Sequence, residues 1–231
     1  MEGVPAVASR GRRRRPRKGD LKEEAILNSA ERLLSEKALS DISIDELARG
    51  AEISRPAFYF YFGSKDAVLQ ALVERIADEA YRASEKWISG TEDPEEAIRE
   101  AIAAGAKLWR DRAPVLRAAV QTWEMDPLVH PFWEQVVNGF IEASAERIRR
   151  DRRAGTAPPG PRSPKALATA LIWMNERCFY TNSLGLGPSL SDRELTDTLT
   201  TVWMRAVYCS DSPGDGPAGA VGEGEPTPAT A

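Results

Sequence analysis

Histidine and cysteine are scarce in this chain of 231 residues, and their scarcity narrows its chemistry. The one histidine, His130, excludes a site built from several imidazoles, and we expect it to have a structural or surface role. The cysteines, Cys178 and Cys209, stand 31 residues apart, which is neither a disulfide framework nor a zinc-ligand spacing. Because no paired acid and base of catalytic type is recognisable, we expect no catalytic site, no metal and no cofactor.

Long apolar runs are also missing. No stretch approaches the ~18 apolar residues that a membrane span needs, so we expect no contact with a membrane. The N-terminus is rich in arginine, but no apolar segment follows it as in a secretory signal. These absences predict a bacterial-type cytoplasmic protein with two reduced thiols.

Positive charge is concentrated at the N-terminus. Residues 1–18 contain seven basic residues and one acid, a net +6, which leaves −10 for the rest of a chain whose net charge is −4. A basic arm on an acidic body indicates contact with nucleic acid or another anionic surface. A solubilising tail without a partner is an equally good interpretation of the arm alone.

No segment has the alternation of β-branched residues that predicts a strand, and almost everything between the termini has helical periodicity. We therefore predict an all-α fold of nine helices. Residues 1–19 and 211–231 lack such a pattern and are predicted to be a disordered basic arm and a disordered tail. We assign 20–66 to one domain and 67–210 to a second.

Two short helices are predicted near the start of the first domain. Ser43 and Glu46 form a capping box that opens a helix ending near Gly50. A tight turn follows at 52–53, and Ser54 caps a second short helix with Pro56 in its first turn. Two short helices joined by a tight turn and packed on a preceding apolar helix are typical of a helix-turn-helix.

The second of these helices contains five consecutive aromatic residues, Phe58 to Phe62. Five residues on a helix sweep more than a full turn, so they cannot all face inward. We expect Phe58 and Phe62, four residues apart, to plug the core, and Tyr59 and Tyr61 to lie at the surface. An aromatic core plug without further function is the alternative.

Three segments resemble the DNA-binding domain of the TetR family: Ile42 to Ala48, Ala51 to Arg55, and Phe58 to Leu69. The resemblance implies a homodimer that binds double-stranded operator DNA on the bacterial nucleoid, with Tyr61 and Lys65 holding phosphates rather than reading bases. Pro56 and Ala57 stand where many members have glycine and threonine. The DNA-binding residues are then expected to be Arg12, Arg13, Arg14, Arg15, Ser43, Ser54, Arg55, Pro56, Ala57, Tyr59, Phe60, Tyr61 and Lys65.

Residues 53–62 and 168–177 further resemble the EthR branch of that family. This resemblance implies nine helices, a homodimer through the last two helices, and a tunnel for a hydrophobic ligand in the second domain. Ile98, Gly105 and Ala143 stand where larger aromatic residues occur in that branch. The ligand-binding residues are then expected to be Trp109, Trp133, Val137, Phe140, Ile172, Asn175, Phe179 and Trp203.

The residues themselves also favour a pocket, since all six tryptophans lie beyond the helix-turn-helix. They can line a cleft between helices or simply fill the core. Asn175 falls on an apolar stripe with Leu171, Met174 and Cys178, where its amide needs a hydrogen-bond partner. A ligand carbonyl, a backbone group or a water molecule can supply it. Since no charged residue interrupts that stripe, we expect a neutral ligand.

The leading hypothesis is a ligand-responsive transcriptional repressor, released from DNA by a small hydrophobic effector. A helical carrier or enzyme for a hydrophobic ligand, with its basic arm on an anionic partner, is the rival hypothesis from another class. A dimeric adaptor that binds neither DNA nor ligand is a third. DNA binding that weakens with salt discriminates the first hypothesis from the others.

Overall fold

The structure is a computed structural model that describes residues 18–90, 92–125, 130–160, 162–186, 188 and 190–209. Within these ranges the chain forms ten α-helices, one short 3-10 helix at Leu39–Asp41, and no strand, so the all-α prediction is confirmed for the described residues. The helices are α1 (Lys18–Glu36), α2 (Ile44–Gly50), α3 (Arg55–Tyr61), α4 (Lys65–Ala83), α5 (Glu85–Ser89), α6 (Pro94–Asp111), α7 (Ala113–Met125), α8 (His130–Ala154), α9 (Pro164–Ser183) and α10 (Asp192–Tyr208).

The predicted count of nine helices is wrong for the described residues, because the segment 65–89, whose periodicity predicts one helix, forms the two helices α4 and α5. Ser84 interrupts it, and its hydroxyl donates to the carbonyl of Ala80 at 2.9 Å. Such a bond draws the backbone away from regular helix geometry. The short α5 that follows ends at Gly90, whose φ of 78° is the left-handed conformation that glycine adopts readily.

The helix α1 begins at Lys18, so it extends two residues into the arm that was predicted over 1–19. Asp20 in its first turn explains the extension, since a carboxylate stabilises the positive end of a helix. Ile26 on this helix is fully buried and packs in one core with Leu47 of α2 and Phe58 of α3. The first three helices therefore share buried apolar residues and form a small N-terminal unit.

The helix α4 connects this unit to a larger bundle. It contacts α1 of this unit, and it also contacts α6, α7 and α8. Within the bundle α8 packs along α9, and α10 packs along α6. None of the helices in the described ranges is both long and apolar enough to cross a membrane.

A buried ion pair ties α5 into the bundle. Arg147 is 4% exposed, and its Nε lies 2.8 and 2.7 Å from the two carboxylate oxygens of Asp151. Its Nη1 donates to the carbonyl of Trp87 at 2.6 Å, and its guanidinium lies over the Trp87 ring. Tyr208 donates its hydroxyl to Asp151, and burial followed by this bond raises the pKa of Tyr208. A buried pair of this kind tolerates the loss of neither partner, so α5, α8 and α10 are held as one block.

Candidate nucleic-acid interface and apolar cavity

The turn between α2 and α3 is held by backbone geometry and by one lysine. Glu52 has a φ of 54°, and the amide of Ile53 donates to the carbonyl of Ala48 at 3.0 Å. Lys22 on α1 reaches the carbonyls of Ala51 and Glu52, each at 3.4 Å. The turn is therefore fixed against α1, and α3 leaves it at a defined angle.

The helix α3 buries one side and exposes the other. Phe58 is 0% exposed and Phe62 is 8% exposed, so both belong to the core as predicted. Tyr59 and Phe60 are 48% and 84% exposed, whereas Tyr61 is half-buried. An aromatic face this open on a short helix after a tight turn is a surface available for a partner.

The predicted DNA-binding residues of the N-terminal unit fall into two groups. Ser43 and Ser54 cap α2 and α3, with their hydroxyl oxygens accepting backbone N–H groups at 3.3 Å in both cases. The exposed members of the set are Ser43, Ser54, Arg55, Pro56, Tyr59 and Phe60. Ala57, Tyr61 and Lys65 are half-buried. The predicted contacts from Arg12, Arg13, Arg14 and Arg15 lie outside the described residues.

Lys65, expected to hold a phosphate, is engaged with the backbone of its own chain. Its ammonium donates to the carbonyls of Leu39 and Ser40 at 2.8 and 2.9 Å, and lies 3.4 Å from that of Ile42. An ammonium has three N–H donors, so these carbonyls can occupy all of them. Lys65 thus fixes the first turn of α4 to the segment that precedes α2.

Arg55 lies at the start of α3, where the fold orients its guanidinium. Its Nη1 is 3.1 Å from Oδ2 of Asp45 on α2, and both side chains are more than half exposed. A hydrogen bond with Tyr59, followed by the charge of Asp45, raises the pKa of Arg55. The guanidinium is therefore held at the exposed side of α3.

A cavity of about 170 Å³ lies in the larger bundle, between α4 and the helices that follow it. An engineered protein cavity of similar size holds one benzene ring, so this volume suits one aromatic ring with a short substituent. The eight residues predicted to bind ligand all line it: Trp109, Trp133, Val137, Phe140, Ile172, Asn175, Phe179 and Trp203. The geometry brings this set together, while its ligand contacts stay a prediction.

The stripe of α9 that faces the cavity differs from the predicted one. Ile172, Asn175, Glu176 and Phe179 line the cavity, at the i, i+3, i+4, i+7 spacing of one helix face. The predicted stripe of Leu171, Met174 and Cys178 does not line it. The reason is that α9 also packs against α8, α7 and α10, so apolar residues surround it and periodicity alone does not select the cavity side.

Asn175 has an internal partner in the cavity wall. The indole Nε1 of Trp203 on α10 donates to Oδ1 of Asn175 on α9 at 3.1 Å. An indole N–H can only donate, so this bond orients the amide oxygen toward Trp203. The two N–H donors of the amide remain for other acceptors. Asn175 can therefore bind both an internal partner and a ligand, which the sequence left as alternatives.

The small residue at position 105 has a steric explanation. A Cβ added to Gly105 on α6 would lie 2.9 Å from the ring of Phe179, so that ring occupies the space of a larger side chain. Ile98 also lines the cavity, whereas Ala143 does not. The differences at 98 and 105 therefore shape this cavity, and the difference at 143 does not.

Two comparisons of the sequence with known proteins agree with this geometry. Residues 26–72 match the family model described as bacterial regulatory proteins, tetR family, and residues 98–209 match that of the transcriptional regulator EthR, C-terminal domain. The HTH-type transcriptional regulator EthR of Mycobacterium tuberculosis is 37% identical over 205 residues, covering 88% of this chain and 94% of that protein. The EthR of Mycolicibacterium smegmatis is 36% identical over 200 residues, covering 86% and 92%. The chain belongs to the TetR family.

Solved structures of other proteins share its fold. A TetR-family transcriptional regulator from Rhodococcus sp. superposes with a TM-score of 0.68 at 12% identity, covering 81% of this chain and 98% of that one. Salmonella enterica GusR superposes with a TM-score of 0.67 at 14% identity, covering 84% and 98%. The predicted resemblance to the TetR family and its EthR branch is confirmed, and the protein is a transcriptional regulator of that type.

The cavity residues that the sequence did not predict include one tryptophan and one carboxylate. Trp87 on α5 lines it and meets Trp203 edge to face, with ring centroids 5.7 Å apart. Glu176, 7% exposed, places a carboxylate in the wall. The expectation of a wall without charge is therefore wrong, because it was drawn from the neighbouring stripe of α9. The sequence did carry a signal for Glu176, because it lies four residues after Ile172 and three before Phe179 and so shares their helix face.

Proposed function

We propose that this TetR-family regulator is a repressor that binds operator DNA as a homodimer in the bacterial cytoplasm and is released by a small hydrophobic effector. The observation that carries the proposal is the pairing of an exposed aromatic and basic face on α3 with an apolar cavity whose wall includes α4. The first feature suits DNA and the second suits a ligand. The helix α4 follows α3 in the chain and lines the cavity, so it connects the two features.

The DNA contact is proposed for the exposed side of α3. The hydroxyl of Tyr59 can donate to a phosphate, and the Arg55 guanidinium can bind either a phosphate or a guanine edge. Phe60, 84% exposed, can meet a thymine methyl group in the major groove. Arg12 to Arg15 would add sequence-independent contacts to the backbone.

The homodimer is proposed for α9 and α10. Val202 on α10 is 38% exposed, and Trp173 on α9 is half-buried, so both leave apolar surface on these helices. Two copies of α3 would then face half-sites about one DNA turn apart, ~34–36 Å, or a multiple of it. A small change in their separation would abolish simultaneous binding.

The coupling between cavity and DNA is proposed to run through α4. Val73 and Ile76 on this helix line the cavity, while Lys65 at its start holds the segment before α2. Glu31 on α1 adds a second connection, since it accepts from Arg75 on α4 at 3.3 Å and from Arg112 at the end of α6 at 2.7 Å. An effector that displaces α4 would therefore move α1 and α3 with it.

This coupling is reciprocal. An effector releases DNA only if it binds the DNA-free arrangement more tightly than the DNA-bound one, and DNA then weakens effector binding by the same factor. Asn175 offers amide N–H donors to an acceptor on such an effector.

The experiment selects bound duplexes from a random library and measures the affinity of the selected duplex by fluorescence anisotropy across a salt series. Tyr59→Phe removes one hydroxyl and should weaken binding about two- to ten-fold, the effect of one hydrogen bond. Tyr81→Phe is the matched control, because Tyr81 is 44% exposed on α4 and contacts Phe140. Equal affinity of the Tyr59 variant and wild type, or no salt-dependent binding by wild type, would contradict the proposal.

A further inference from the structure

A carboxylate in the wall of an apolar cavity limits which ligands can enter it. Glu176 is 7% exposed and shares the cavity side of α9 with Ile172 and Phe179. We propose that the cavity selects a small hydrophobic amine, whose ammonium group binds the Glu176 carboxylate while its apolar body packs against the tryptophans. This inference rests on the proposed function, because it specifies the effector class for the same cavity.

The Glu176 carboxylate can accept a hydrogen bond from a ligand in addition to its contact with Arg177. Nε of Arg177 lies 3.8 Å from Oε2 of Glu176, and the Arg177 side chain is 47% exposed. Its guanidinium lies over the ring of Tyr180, 5.2 Å from the centroid. Arg177 thus approaches from the solvent side of α9. A carboxylate offers about four lone-pair positions, so a ligand N–H can bind the same group from the cavity side.

The rest of the wall favours a cation over an anion. Among the described residues that line the cavity, Glu176 carries the one formal charge, so a ligand carboxylate would meet repulsion without a compensating cation there. Four indole rings belong to the wall, those of Trp87, Trp109, Trp133 and Trp203. The negative face of an indole attracts an ammonium group, and this attraction is strongest where water is excluded.

Size narrows the class further. A cavity of about 170 Å³ holds one aromatic ring and a short chain, so a primary arylalkylamine of the size of 2-phenylethylamine fits. Its alcohol analogue, 2-phenylethanol, has nearly the same shape without the positive charge. The pair therefore isolates the contribution of the charge.

The experiment measures binding of both compounds to the full-length protein by isothermal titration calorimetry at neutral pH. Wild type should bind 2-phenylethylamine about ten-fold or more tightly than 2-phenylethanol, as expected for a charge-assisted hydrogen bond. Glu176→Gln should remove this preference while keeping its affinity for the alcohol. The control Glu134→Gln, an exposed residue on α8, should keep the preference.

The outcomes separate this inference from the proposed function. If wild type binds both compounds equally, or Glu176→Gln keeps the amine preference, the amine inference is wrong and the cavity remains an effector site. If wild type binds neither compound at saturating concentration, the amine inference is wrong, and the DNA-binding experiment described above decides the proposed function separately. The preference for the amine over the alcohol is measured on wild type alone. It therefore tests the inference even if Glu176→Gln does not fold.

Discussion

Replacing Asn175 with leucine tests the hydrogen bond that orients the cavity wall. Trp203 is 3% exposed, and its Nε1 donates to Oδ1 of Asn175 at 3.1 Å. Leucine accepts no hydrogen bond, so the indole N–H would be buried without a partner. Such a loss costs about 1–3 kcal/mol of unfolding free energy. For a protein of this size that corresponds to a melting temperature lower by roughly 2–12 °C, measurable by circular dichroism.

A double-mutant cycle separates this bond from the volume change. Trp203→Phe removes the donor, so Asn175→Leu in that background should cost about 1–3 kcal/mol less than in wild type. Chemical denaturation of the four proteins gives the coupling energy directly. If Asn175→Leu costs the same in both backgrounds, the amide is not the acceptor for the indole and the reasoning is refuted.

The same variants test the ligand contact of Asn175. Asn175→Leu should bind acetophenone, which has a carbonyl acceptor, more weakly than wild type, while propylbenzene binding changes little. Trp203→Phe keeps the amide donors, so its preference for the carbonyl compound should persist. An Asn175→Leu protein that binds both compounds like wild type would identify Asn175 as a core amide satisfied by Trp203 alone.

Three further results are expected. Lys65→Ala should lower the unfolding free energy by about 1–2 kcal/mol, measured by denaturation, because three carbonyls lose their donor. The same variant should lower the salt slope of DNA binding by about one. An unchanged slope would show that Lys65 only anchors the backbone and binds no phosphate. Deleting residues 1–18 should leave the melting temperature and the dimer mass unchanged and flatten the salt dependence of DNA binding, so full affinity at every salt concentration would contradict the role of the arm. The hydrogen bond from Lys37, followed by those from Ser43, holds the pKa of Glu46 at about 2 instead of 4.5. The stability that the ionised carboxylate adds is present above pH 4.5 and is lost as the pH falls through about 2. An NMR titration that found Glu46 protonated at a pH of about 4 would refute this.

The resemblance to TetR-family proteins rests on local patterns that the sequence carries openly. Ser43 and Glu46 form the predicted capping box, and α2 has the predicted limits Ile44–Gly50. Phe58 and Phe62 are buried as their four-residue spacing indicates. These features depend on residues within four or five positions of each other, so they can be predicted from the sequence with helix geometry alone.

The sequence by itself therefore determined the all-α architecture and the helix-turn-helix, whereas the eight residues predicted at the cavity followed from the resemblance to the EthR branch. Tertiary structure alone decided the partner of Lys65 and the bond between Asn175 and Trp203, which joins residues 28 positions apart. It also decided that Glu176 faces the cavity. The physical reason is that α9 is packed on several sides, and only the arrangement of its neighbours selects the face that borders empty space.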